Sequence, residues 1–109
     1  MILSKSEIEL CRKAIESHHW LIKKAIEQKT WRSTSPAHEQ LNSECMYAKE
    51  AIQNNMDSEL AEFLITALDH HLHCHLYEWR NLEPEELFKL KKDVKTLTDK
   101  LKSYESYKN

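Results

Sequence analysis

No glycine occurs anywhere in the 109 residues, and proline only at Pro36 and Pro84. Hairpins and doubly wound sheets usually need glycine at turns with positive φ, whereas helices joined by polar loops need none. The sequence therefore points to an all-α chain with no sheet. The length suits one domain over residues 1–109, folded as an antiparallel four-helix bundle.

Helix starts and inward stripes divide the chain. Ser4 or Ser6, with Glu7 or Glu9 three residues on, has the form of a capping box. Ile8, Cys11, Ile15, His18, Ile22 and Ala25 then alternate spacings of three and four, which predicts a first helix over about 5–29. Ser35-Pro36 opens a second, over about 36–55, with Leu41, Cys45, Ala48 and Ile52 inward. Asp57 or Ser58 caps a third, over about 58–80. Glu83-Pro84, followed by Glu85 and Glu86, opens a fourth over about 84–105. The short breaks between them suit an up-and-down bundle.

The third helix carries the most unusual residues: His70, His71, His73, Cys74 and His75. On a wheel at about 100° per residue, Leu60, Leu64, Ala67, Leu68 and Trp79 share one face. His71 and His75 fall near its middle and Glu78 close by, while His70, His73 and Tyr77 point away. Histidines at i and i+4 can reach one metal ion. Counting back from the turn between helices two and three puts Glu44 and His38 level with them. The candidate metal set is thus His71, His75, Glu78 and Glu44, for zinc or iron. The plainer expectation is no cofactor, with neutral histidines satisfied by one another, by Glu78 or by water.

The fourth helix places Leu87, Leu90, Val94, Leu97, Leu101 and Tyr104 at successive a and d positions of a heptad. Glu86 with Lys91, and Lys100 with Glu105, have the spacing of interchain ion pairs. The run is shorter than a free coiled coil usually needs. It is expected to form the fourth edge of the bundle, with a homodimer as the alternative. Phe88, at an outward b position, joins Trp31 and Tyr107 as aromatic surface for a partner. The candidate partner or dimer interface is therefore Leu87, Phe88, Leu90, Val94, Leu97, Leu101 and Tyr104.

Charge and chemistry exclude several classes. Sixteen basic and eighteen acidic residues give a net charge of −2 and no basic field for nucleic acid. No apolar run is long enough for a membrane span. Cys11, Cys45 and Cys74 lie far apart with no CxxC spacing, and no signal peptide is evident, which reads as reduced thiols in a cytoplasmic protein. Cys11 and His18, two turns apart on one helix, stand about 10 Å from each other, too far for direct proton transfer. No catalytic set is complete.

Two family resemblances accompany this. Arg12 and His18 have a spacing that resembles the Arg-to-His element of HEPN ribonucleases, with Lys13 after the arginine. Glu44-Cys45-Met46-Tyr47 and Glu59-Leu60-Ala61-Glu62 resemble the paired carboxylate motifs of MazG-type NTP pyrophosphohydrolases. In that family such carboxylates, on paired helices like helices two and three here, hold magnesium around a pyrophosphate; Glu62 stands here in place of the family's aspartate. Tyr47 stands where the family has a second glutamate, which implies a scaffold that has lost catalysis.

The functional expectation is a small, non-enzymatic, cytoplasmic helical protein that binds another protein or itself, in the manner of an inhibitor, an immunity protein or a phage or bacterial regulator. A metal-binding bundle using His71 and His75 is the first alternative. The degenerate pyrophosphohydrolase scaffold is the second.

Overall fold

The structure, a computed structural model, describes residues 3–29, 35–54 and 56–108, with residues 29, 35 and 105–108 as backbone alone. Four helices account for nearly all of it: α1 Lys5–Lys29, α2 Ser35–Ala51, α3 Ser58–His73 and α4 Pro84–Lys108. There is no strand among the described residues.

Local chemistry fixes three of the starts. Ser4 Oγ accepts from the Glu7 N–H at 3.2 Å and Glu7 Oε1 accepts from the Ser4 N–H at 2.8 Å, a complete capping box. Asp57 Oδ1 accepts from the Leu60 N–H, so Asp57 caps α3. At the head of α4, Glu86 Oε1 accepts from the Glu83 N–H at 3.2 Å.

Two ends differ from the sequence expectation. α2 stops at Ala51 rather than near residue 55, because its last turn tightens to i→i+3 bonds and Asn54 Nδ2 donates to Glu50 O. The α geometry of α3 stops at His73, and Cys74–Glu78 forms a π turn closed by the Trp79 N–H on Cys74 O at 2.7 Å. Arg80 then takes φ 50°, a left-handed conformation that glycine usually supplies.

Paired residues give the direction of each helix. Glu16 with Lys49, His19 with Asn42 and Glu27 with His38 run α2 antiparallel to α1. Ser17 with His71 and Lys24 with Glu78 run α3 parallel to α1. Glu7 with Lys100, and Tyr104 with Met56 O, run α4 antiparallel to both. The arrangement is the expected up-and-down bundle.

It is flattened, however. α1 and α3 are the closest pair, α2 packs chiefly on α1, and α4 chiefly on α3, within extents of 41 × 35 × 22 Å. Small buried side chains on both central helices, Cys11, Ala14 and Ser17 on one and Ala61, Ala67 and Cys74 on the other, allow that close approach. Ile15, Leu64, Leu68, Leu97 and Leu101 fill the core around them.

The heptad seam of α4 lies largely inside the chain. Val94, Leu97 and Leu101 are buried, while Leu87, Leu90 and Tyr104 are half-buried. Lys100 pairs with Glu7 of α1 at 2.8 Å, and the side chain of Glu105 lies outside the described residues. Of the seven candidate interface residues only Phe88 is well exposed, at 73%. Trp31 lies outside the described residues, as does the side chain of Tyr107. No helix among the described residues is long and apolar enough to cross a membrane.

Candidate functional site: a cleft floored by two histidines

Because α1 and α4 pack on α3 more than on each other, a cleft of about 910 Å³ opens between them. Leu10 of α1, Leu82 of the loop and Leu90 of α4 supply its apolar surface, with the buried Leu97 beneath them. His71 and His75 of α3 also line it. Glu7, Glu9 and Lys13 stand on the α1 side, and Glu86, Lys89, Lys92 and Asp93 on the α4 side. Four acids and three lysines leave the rims without a dominant sign.

The two histidines are held from behind. Ser17 Oγ lies 2.6 Å from His71 Nδ1 and donates its one proton to Lys13 O at 3.1 Å. His71 Nδ1–H is then the donor to Oγ. His75 Nδ1 donates to Asn81 Oδ1 at 2.8 Å. With these acceptors, the neutral form of each ring carries its proton on Nδ1 and a lone pair on Nε2. His71 is only 5% exposed, and burial above all, then the neighbouring His75 and Lys13, pushes its pKa down to about 4. It is a neutral imidazole at physiological pH.

A ladder of rings continues from this pair. His71 and His75 meet at 4.8 Å and 90°, His75 and Trp79 at 5.0 Å, and Trp79 and Trp20 of α1 at 5.2 Å. The π turn contributes here, since its wider turn brings residues four apart closer to alignment than the α-helix's 3.6 per turn does. Lys24 closes the ladder over Trp20 and pairs with Glu78 at 2.8 Å.

A second histidine pair bridges the same two helices. His18 Nδ1 and His70 Nδ1 are 2.7 Å apart with ring planes within 5°. Ring centres 4.9 Å apart are what two rings sharing one nitrogen–nitrogen hydrogen bond end to end would give. Phe63 packs edge-on against His18. Burial first, then His70, lowers the His18 pKa to about 4, and burial lowers that of His70 as well. His70 is therefore half-buried in an interhelical contact, although the wheel points it outward.

The four residues picked out for a metal do not come together. Glu78 accepts from Lys24 and lies 3.8 Å from His73, away from His71. Glu44 is exposed on α2, bonded to Gln40, because α2 faces α1 more than α3. Among the described residues no group of three His, Cys, Asp or Glu side chains can hold a metal ion. Glu59 and Glu62 are exposed as well. Arg12 lies beside Lys49, Glu50, Gln53 and Asn54 of the α2 region while His18 turns to α3, so this Arg-His pair does not share a site.

The thiols give no nucleophile. Cys11, Cys45 and Cys74 are free and buried, and burial raises all three pKa values, that of Cys11 to about 12.

Sequence reasoning missed Ser17, Asn81, Leu10 and Leu82. Ser17 had one signal: it recurs three residues after Ala14, which is three after Cys11, a small-residue stripe that marks a close helix contact. Asn81 and Leu82 sit in a loop whose path no periodicity specifies. No protein-family model, curated protein or solved structure matches the chain.

Proposed function

We propose that the chain works by binding another protein, taking an amphipathic helix of that partner into the cleft between α1 and α4. The observation that supports this most is the lining itself: the half-buried Leu10, Leu82 and Leu90 between rims of mixed charge. An apolar channel bordered by two helices is what helix-in-groove recognition uses. From Glu86 to Leu97 the α4 border runs roughly 16 Å at 1.5 Å per residue, the length of about three helical turns. The mixed rims match an apolar stripe flanked by charges of both signs, and they disfavour a polyanion.

This keeps the interaction reading and moves its surface. Leu97 and Leu101 are committed to the core, so docking falls to the half-buried leucines and the rims. The chain acts without chemistry of its own, as an inhibitor or regulatory subunit does.

The test is selection of displayed helical peptides on the full chain, followed by binding to two variants. Thr96→Arg narrows the cleft from an exposed rim position, and Leu90→Glu puts a charge in the apolar lining. Selected peptides should lose at least tenfold in affinity on both while circular dichroism of each variant stays helical. Peptides that bind both variants as they bind the parent chain would sink the proposal.

A further inference from the structure

We propose that His71 and His75 together hold a divalent transition-metal ion of the zinc class through their Nε2 atoms, at the floor of the cleft, with the remaining coordination positions filled by water. Three observations combine.

First, the protons are already placed for it. Ser17 Oγ and Asn81 Oδ1 accept from the two Nδ1–H groups, which fixes both rings in the tautomer that leaves Nε2 bare. Oxygen acceptors behind ligating histidines serve this purpose in metal sites, orienting the ring and raising its basicity. Neutral imidazole is a ligand suited to zinc, copper and nickel.

Second, the ring geometry fits. Two imidazoles on one tetrahedral zinc, with Zn–N of about 2.0–2.1 Å, have ring centres roughly 5 Å apart. His71 and His75 stand at 4.8 Å with perpendicular planes. The other pair provides an internal contrast. His18 and His70 meet nitrogen to nitrogen at 2.7 Å in nearly parallel planes, which leaves room for a proton and not for a metal ion.

Third, the site is open on one side. Both rings line the cleft, so an ion there has a route in and space for its water ligands. Only two protein ligands take part; Glu78 and Glu44 are held elsewhere. Two ligands predict modest affinity and an exchangeable ion rather than a structural one. Nothing in this depends on a partner occupying the cleft.

The experiment is calorimetric titration of the untagged full chain with zinc chloride at pH 7.5. One equivalent should bind in the micromolar range. His75→Ala, at a half-buried position, should weaken binding at least tenfold, and Asn81→Ala should weaken it severalfold through the freed ring. His70→Ala, which removes a histidine of the other pair, should leave it unchanged. Thermal melts establish that each variant is folded. Absence of zinc binding, retention of it in folded His75→Ala, or equal loss in folded His70→Ala would overturn the assignment. Peptide affinity for the cleft in chelator, measured separately, distinguishes failure of this site from failure of the docking role.

Discussion

Ser17 of α1 and His71 of α3 meet across the centre of the bundle, hydroxyl oxygen to Nδ1 at 2.6 Å, both almost wholly buried. The contact satisfies the one ring nitrogen of His71 that points into the protein. Replacing Ser17 with alanine leaves that N–H buried without an acceptor, a cost of about 1–3 kcal/mol. Urea unfolding should show the midpoint falling with little change in slope.

The buried imidazoles make stability depend on pH in one direction. His18 takes up a proton near pH 4 in the folded chain and near pH 6.5 when unfolded. Between those values the unfolded state binds more protons, so stability is complete above about pH 6.5 and declines as pH falls toward 4. The decline from His18 is on the order of 3 kcal/mol. His70 and Phe63 of α3, Glu44 of α2 and His19 of its own helix surround it. Glu7 and Glu78 have lowered pKa values, so what they contribute is lost only below the usual carboxylate value of 4.5. Urea midpoints at pH 7.5, 6 and 5 therefore isolate the imidazoles, and His18→Leu should shrink the decline.

The α4 seam separates core from surface. Leu97→Asp places an uncompensated charge at a site 1% exposed and should unfold the chain, with loss of several kcal/mol. Phe88→Ser should shift stability by no more than about 0.5 kcal/mol. Circular dichroism melts with light scattering check both. A folded Leu97→Asp monomer derived from a wild-type dimer would instead place the seam at an interface.

Much of this was legible in the chain. The absence of glycine, the Ser4-Glu7 box, Asp57 and Pro84 lead to four helices whose starts lie within a residue of those observed, because caps and stripes are local signals. Which helix lies against which is not local. Placing Glu44 beside His71 assumes that α2 faces α3, whereas the small residues of α1 and α3 bring those two together instead. The π turn was invisible for a related reason: His73 to Glu78 contains neither glycine nor proline, and a wheel of fixed pitch cannot register a widened turn. His71 is buried on the inner face as the wheel places it, and His75 is half-buried beside it; His70 turns inward to His18 and Glu78 outward to Lys24, because the side of α3 that packs on α1 is set by contacts between helices.

Among the described residues, Arg80 is the one position with positive φ, where a glycine would help. With φ at 50°, a side chain costs roughly 1 kcal/mol in the left-handed region. Arg80→Gly should raise stability by about 0.5 kcal/mol once the freer unfolded chain is counted. A melting temperature a few degrees higher is the expected reading.

The most direct measurement is amide chemical-shift mapping of the ¹⁵N-labelled chain with a helical peptide selected on it. Shifts should concentrate at Leu10, Lys13, Leu82, Lys89 and Leu90, with the peptide turning helical as it binds. Shifts gathered instead on the exposed face of α2, around Met46 and Tyr47, would contradict the assignment of the cleft as the binding site.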